Sequence, residues 1–133
     1  MNYSEQEQPL LKIRDLQVSF NTYAGKVHAV RGVSLELKKG EVLAVVGESG
    51  CGKSVTAQSI LQLNPAPPCV VDGGTIELEG KNLLEYTDAQ MRQIRGHEIS
   101  MIFQDPMTSL NPTTRVGKQI MEGILKHQKV SKA

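Results

Sequence analysis

Alternation of apolar and polar residues in the first forty positions predicts two β-strands. The first run lies between residues 10 and 20, with a change of register near Asp15, and the second lies between residues 27 and 37. A turn at 21–25 separates the two runs, so the strands are expected to form an antiparallel hairpin. The apolar residues expected on the buried face of the first strand are Ile13, Leu16 and Val18.

Further along the chain, the pattern predicts strands that alternate with helices. The run 41–46 is apolar without alternation, which is typical of a strand covered on both faces, and 98–103 is expected to be another buried strand. Residues 75–78 alternate and predict one more strand. Helical spacing, a capping box at 87–90 and the Gly and Pro positions predict helices over 52–63, 88–96 and 116–128. This order of elements is that of an α/β fold.

The stretch 47–54, Gly-Glu-Ser-Gly-Cys-Gly-Lys-Ser, matches the G-x-x-x-x-G-K-[ST] phosphate loop. It lies between a predicted strand and a predicted helix, which is the context that the motif requires. Gly47, Gly50 and Gly52 have no Cβ, so the backbone there can take positive φ and come close to a ligand, with its amides directed at an anion at the helix N-terminus. Lys53 can reach the β- and γ-phosphates, and the Ser54 hydroxyl can ligate Mg²⁺. The alternative, a glycine-rich turn with a chance Lys-Ser pair, is disfavoured by the context.

Composition and charge exclude several other classes of function. The chain of 133 residues has a net charge of +1 and no basic stripe, so nucleic acid is not an expected partner. Its apolar runs extend over about five residues, far short of the ~20 that span a bilayer, and residues 1–9 form a polar tail rather than a signal peptide. We therefore expect a soluble chain that reaches a membrane only through a partner. Cys51 and Cys69 form no metal-ligand pattern.

Gln104 is the second candidate for chemistry. It lies at the end of the predicted strand 98–103, in the sequence Phe-Gln-Asp-Pro. A glutamine at this position could coordinate Mg²⁺ or position an attacking water, as glutamines do in other phosphoryl-transfer sites. The alternative is a loop residue that hydrogen-bonds the local backbone.

The loop 47–54 and the segment 101–112, Met-Ile-Phe-Gln-Asp-Pro-Met-Thr-Ser-Leu-Asn-Pro, resemble the nucleotide-binding subunits of ABC transporters. The likeness extends from about residue 10 to residue 127. It is stronger to the branch that imports oligopeptides, dipeptides and, in related systems, nickel, because Gly-Glu-Ser-Gly and the segment after Gln104 match that branch. The resemblance implies a P-loop NTPase core of the ABC type with an N-terminal antiparallel β subdomain. Residues 10–106 would form the N-terminal part of the ATP-binding domain, including the Walker A loop and the Q-loop, and 107–133 would begin the helical subdomain.

The resemblance also implies ligands, ATP and Mg²⁺, and a role for each site residue. The residues implied to hold the phosphates are Gly47, Glu48, Ser49, Gly50, Cys51, Gly52, Lys53, Ser54 and Val55. Ser54 and Gln104 would ligate Mg²⁺. During hydrolysis, Lys53 and Gln104 would stabilise charge on the γ-phosphate.

Two further roles follow from the same resemblance. An aromatic side chain would stack on adenine, and Phe20 is the better candidate, with Tyr23 as the alternative. Gln104 would report nucleotide occupancy to the membrane subunit, and residues 105–110 would lie near the groove that receives the coupling helix of that subunit.

The sequence lacks three features of such ATPases: the signature loop, the acidic Mg²⁺-binding strand with its catalytic glutamate, and the switch histidine. The chain therefore resembles the N-terminal portion of a longer subunit, without the C-terminal strands and most of the helical subdomain. These 133 residues alone are not expected to hydrolyse ATP. With its central strand uncovered, the isolated chain is expected to be marginally stable, aggregation-prone or dimerised through strand edges.

The function implied for the complete subunit is coupling of ATP hydrolysis to peptide import. Its partners would be a second ABC ATPase subunit, in a homo- or heterodimer, permease subunits that contact the Q-loop region and, indirectly, an extracytoplasmic peptide-binding protein. It would lie at the cytoplasmic face of the cell membrane. The alternatives are a nucleotide-binding module without turnover, an importer of nickel or another solute, and a P-loop ATPase outside transport.

Overall fold

The two N-terminal strands form the predicted hairpin, which lies within a four-stranded antiparallel sheet. A computed structural model describes residues 8–105, 107 and 109–128. The strands are β1 (Leu11–Thr22), β2 (Gly25–Leu37), β3 (Cys69–Leu78) and β4 (Lys81–Asn82). Their spatial order is β2-β1-β3-β4, so β1 is paired along both of its edges.

The predicted register change near Asp15 is confirmed, and it explains how β1 buries its apolar residues. Asp15 has a φ of 45°, and the ladder to β2 shifts between Ile13 and Leu16. Side chains alternate across a regular strand, so two residues three positions apart would otherwise face opposite sides. With the bulge between them, Ile13 and Leu16 are 1% and 0% exposed, and Val18 is also 0% exposed. The predicted buried face is therefore correct.

Three α-helices form where the spacing predicts them, with somewhat shorter ends. They are α1 (Lys53–Ile60), α2 (Asp88–Ile94) and α3 (Val116–His127), and a 3-10 turn at Leu83–Glu85 precedes α2. The capping box is present at the start of α2. The amide of Thr87 donates to Gln90 Oε1 at 2.9 Å, and the amide of Gln90 donates to Thr87 Oγ1 at 3.3 Å.

The prediction of a buried strand at 41–46 is wrong for this chain. Residues 41–48 form no strand, and the side chains of Val42 and Val46 are 94% and 90% exposed. A β-strand requires a hydrogen-bonded neighbour. None of the residues that the structure describes pairs with this run. The run therefore presents apolar side chains to solvent on the approach to the phosphate loop.

The contacts divide the chain into two compact units, Met1–Met91 and Arg92–Ala133. The first holds the sheet and α1, and the second holds α3. In the second unit the predicted strand at 98–103 is also wrong. Ile99 makes an isolated bridge to Arg95, and the side chain of Ile102 is 100% exposed.

The isolated chain is expected to self-associate, because the run 41–46 exposes valine side chains that association would bury at about 25 cal/mol per Å². Sedimentation velocity should show a weight-average sedimentation coefficient that rises with protein concentration. A double substitution, Val42→Ser with Val46→Ser, should reduce this rise. A monomer at every concentration, with a sharp and reversible melt, would show that the exposed run does not drive association.

Candidate nucleotide-binding site

The loop 47–52 leads into α1, and two of its glycines give the loop its shape. Gly50 and Gly52 have φ values of 79° and 91°, in the left-handed region that costs other residues about 1–2 kcal/mol. Gly47 could also take positive φ but does not do so here. A Cβ on Gly47 would instead lie 2.6 Å from Cys51 Sγ. Glycine at 47 therefore leaves room for a side chain of the same loop.

Gly52 is also required by its contact with the sheet. A Cβ on Gly52 would lie 2.5 Å from the carbonyl oxygen of Ala29 and 3.5 Å from Val30 Cγ2. The start of α1 therefore packs directly on the backbone of β2. Sequence reasoning missed this contact, since an alanine within a strand carries no signal of a close neighbour.

The Lys53 side chain folds back over the loop. Its Nζ donates to the carbonyl oxygens of Gly47 and Glu48, both at 2.6 Å, and lies 3.5 Å from Cys51 Sγ. The ammonium group is therefore held by neutral carbonyl dipoles. A phosphate would offer formal negative charge to the same donors, and charge-assisted hydrogen bonds are the stronger kind. Lys53 is thus positioned to exchange carbonyl partners for phosphate oxygens.

The N-terminus of α1 is open to an anion. Gly52 is the N-cap residue of this helix, no side chain caps it, and the first turn holds no acidic residue. The first amides of a helix have no intrahelical partner, and the helix dipole adds partial positive charge there. Ser54 is exposed at this end of the helix. Its hydroxyl oxygen is a suitable ligand for Mg²⁺, which prefers oxygen donors, so the donor set fits a Mg²⁺-bound phosphate.

The remaining loop residues lie where an anion could approach their backbone. Glu48, Ser49 and Cys51 are exposed, and Val55 is half-buried in the first turn of α1. The structure thus brings together all nine loop residues predicted for phosphate binding on one turn and one helix start, and their contact with ATP stays a prediction.

The two candidates for adenine stacking differ in how firmly the fold holds them. Phe20 lies in β1, opposite Val27 of β2 and Cys69 of β3, and is half-buried. Tyr23 lies in the hairpin turn, and its side chain is fully exposed. A ring held within a ladder loses less freedom on stacking. This favours Phe20, and the stacking role itself stays a prediction.

Two titratable groups of β3, Asp72 and Cys69, have shifted pKa values with clear causes. Lys26 Nζ lies 2.5 Å from Asp72 Oδ1, and this hydrogen bond lowers the pKa of Asp72. Burial raises the pKa of the Cys69 thiol, and the negative charge of Asp72 raises it further. The Cys69 thiol therefore stays protonated to a higher pH than an ordinary cysteine.

Gln104 belongs to the second unit, where it is exposed at a bend of the chain. The turn that follows it is closed by Asp105. Its Oδ1 accepts the amide of Met107 at 2.9 Å, and its backbone oxygen accepts Ser109 Oγ at 3.1 Å. Residues 106 and 108 of the predicted permease-contacting segment lie outside the described residues. The Mg²⁺ contact of Gln104 stays a prediction.

Sheet, phosphate loop and uncapped helix together define a P-loop nucleotide-binding domain of the ABC type. A model of the family described as ABC transporter matches residues 17–133. The chain belongs to the ABC transporter family. It also matches a solved structure described as a dimeric bacterial ABC transporter cassette, with a TM-score of 0.77 and 20% identity over 92% of this chain and 50% of that chain.

Similar curated proteins are ATP-binding proteins of peptide transport. The chain is 58% identical over 123 residues to the oligopeptide transport ATP-binding protein of Bacillus subtilis (strain 168), covering 92% of this chain and 34% of that protein. It is 57% identical to the dipeptide transport ATP-binding protein of the same organism, covering 92% and 37%. The chain thus spans about a third of the length of these relatives. None of the described helices is long and apolar enough to cross a membrane.

Proposed function

We propose that this chain is the N-terminal part of the ATP-binding subunit of a peptide-importing ABC transporter, with ATP and Mg²⁺ as its ligands. The observation that carries the proposal is the position of Lys53. Its ammonium group lies over the loop, on the carbonyl oxygens of Gly47 and Glu48, beside a helix N-terminus that no side chain caps. Peptide as the transported class is supported by the names of the relatives, oligopeptide and dipeptide transport ATP-binding proteins.

In this proposal each group acts through its own chemistry. The loop amides and Lys53 bind the β- and γ-phosphates, and the hydroxyl of Ser54 holds Mg²⁺. Gln104 completes the Mg²⁺ coordination when ATP is bound and relays that state to the permease. Phe20 stacks on the adenine ring. In the complete subunit, Lys53 and Gln104 stabilise the charge that develops on the γ-phosphate.

The proposed partners are a second ABC ATPase subunit and the permease subunits, with a peptide-binding protein acting on the other side of the membrane. The subunit would lie at the cytoplasmic face, held there by the permease. A dimer is supported by the similar fold of a cassette that is itself described as dimeric. The 133 residues alone are proposed to bind ATP without turnover, since the sequence contains no signature loop, catalytic glutamate strand or switch histidine.

The test of this function uses the complete subunit assembled with its permease in liposomes. Peptide-loaded binding protein is expected to stimulate ATP hydrolysis and to drive peptide uptake. Gln104→Ala should leave ATP affinity within about twofold, because the phosphate loop is intact, but should lower the peptides transported per ATP by about fivefold or more. Nucleotide titration, phosphate release and uptake of labelled peptide measure these quantities.

Gln93→Ala, at an exposed glutamine of α2, is the matched control and should transport normally. An unchanged ratio of peptide to ATP in Gln104→Ala would remove the coupling role of Gln104. An assembled wild-type transporter that shows no stimulation by peptide would overturn the proposed function itself.

A further inference from the structure

The side chain of Gln119, in the first turns of α3, holds the loop that precedes this helix. Its Oε1 accepts the amide of Asn111 at 2.9 Å, and its Nε2 donates to the carbonyl oxygens of Asn111 at 3.0 Å and Thr114 at 2.7 Å. Asn111 also closes the turn 111–113 internally. Its Oδ1 accepts hydrogen bonds from the amide of Thr113 at 2.9 Å and from the hydroxyl of Thr113 at 2.7 Å. One half-buried side chain therefore satisfies three backbone groups of the segment 111–114.

This loop continues the segment that follows Gln104. The turn closed by Asp105 ends at Ser109, and the turn held by Gln119 begins at Asn111, so a single residue, Leu110, joins them. Leu110 is 49% exposed, and Met107 in the preceding turn is 86% exposed. Leu110 directly precedes Asn111, so the direction of its side chain depends on the turn that Gln119 holds.

We propose that Gln119 is a positioning residue for coupling: it fixes the turn 111–114 on α3 and thereby orients Leu110, the residue directly before this turn, for contact with the permease. This inference rests on the proposed function for the partner, and on the hydrogen bonds of Gln119 for the mechanism. Gln119 acts through the loop, without touching nucleotide or permease.

Position 119 requires a glutamine because the loop needs one hydrogen-bond acceptor and two hydrogen-bond donors from the same side chain. An amide oxygen accepts the Asn111 amide, while the amide nitrogen supplies two N–H groups for two carbonyl oxygens. Alanine removes all three bonds. A carboxylate keeps the acceptor but places negative charge against the carbonyl oxygens of Asn111 and Thr114. A protonated carboxyl group can donate to one of them again.

The first experiment measures amide hydrogen exchange in the complete subunit. In Gln119→Ala, the Asn111 amide loses its acceptor and should exchange about tenfold faster or more, while amides of β1 in the first unit keep their wild-type rates. Lys118→Ala, at an exposed neighbour on the same helix, is the control and should match wild type. Unchanged exchange at Asn111 in Gln119→Ala would overturn the proposal.

A pH profile separates this arrangement from a general loss of helix stability. In Gln119→Glu, exchange at Thr113 and neighbouring amides, corrected for intrinsic rates, should be fast at pH 7 and slow on acidification, as the introduced carboxyl group becomes protonated. The nearby carbonyl oxygens should place this transition above the ordinary glutamate pKa of about 4.3. A profile without a pH transition would contradict the assigned contacts.

The second experiment measures coupling in the liposome system. Gln119→Ala should bind ATP with wild-type affinity but transport about fivefold fewer peptides per ATP, whereas Lys118→Ala should transport normally. Wild-type coupling in Gln119→Ala would overturn the positioning role. If the wild-type transporter itself showed no response to peptide, the proposed function would fail and the coupling part of the inference with it. The exchange experiment would still decide whether Gln119 holds the loop.

Discussion

Lys53→Ala in the complete subunit is expected to weaken ATP binding by about 10- to 100-fold, corresponding to roughly 1.5–3 kcal/mol for the loss of charge-assisted hydrogen bonds. The Lys53 ammonium group bonds the carbonyl oxygens of Gly47 and Glu48 at 2.6 Å. In the proposed site, phosphate oxygens would replace these partners on ATP binding, so the expected loss reflects the difference between the two sets of bonds. Isothermal titration with ATP and Mg²⁺ measures it directly.

Two comparisons make the Lys53 result specific. Lys39→Ala removes an exposed positive charge from the turn before the phosphate loop and should change ATP affinity by no more than about twofold, because exposed charges are screened. Adenosine, which carries no phosphate, should bind wild type and Lys53→Ala equally. ATP affinity that is unchanged in Lys53→Ala would remove this residue from the phosphate site.

The hairpin of β1 and β2 could be predicted from the sequence because its two strands are close in the chain, whereas the pairing of β1 with the distant β3 was not predicted. β1 and β2 are joined by a short turn, so alternation fixes which residues are buried and a register change marks the bulge at Asp15. The phosphate loop was recognisable for a similar reason. Its chemistry depends on consecutive residues, and a strand-to-helix transition surrounds them.

The predictions of strands at 41–46 and 98–103 were wrong, because the sequence does not show whether a strand has a partner. Their composition is that of central strands in a parallel sheet, whose neighbours come from distant parts of a sequence. The chain covers 50% of the solved cassette with a similar fold, and the described residues include no ladder for either run. Apolar composition thus indicates that these runs suit the buried centre of a sheet. Strand formation itself depends on a hydrogen-bonded partner.

Contacts between segments of the chain could not be predicted from the sequence pattern. Two examples are the close approach of the Ala29 carbonyl oxygen to Gly52 and the three hydrogen bonds of Gln119. Both depend on where the backbone atoms of one segment lie beside another segment. Neither an alanine in a strand nor a glutamine in a helix has an unusual sequence signature. The structure therefore adds two contacts that no motif predicts, the approach of Ala29 to Gly52 at the phosphate loop and the bonds of Gln119 to the loop before α3.

Gly52→Ala is expected to destabilise the nucleotide-free protein by about 2–4 kcal/mol, a large fraction of the stability of an ordinary domain. About 1–2 kcal/mol comes from a Cβ at φ 91°. The rest comes from overlap, since that Cβ would lie 2.5 Å from the carbonyl oxygen of Ala29, a backbone atom held in β2. Urea unfolding monitored by circular dichroism gives the change in free energy of unfolding.

Gly50→Ala is the matched control, because Gly50 has a similar φ of 79° but a Cβ there would meet no atom within 4 Å. It should lose only the conformational part, about 1–2 kcal/mol. The difference between the two variants isolates the contact between the loop and β2. If Gly50→Ala and Gly52→Ala were equally destabilised, backbone conformation alone would account for glycine at 52. A larger loss of stability in Gly52→Ala would mean that packing against β2 fixes the position of the phosphate loop. ATP affinity should then also fall in Gly52→Ala, because the first amides of α1 would be displaced from the phosphate.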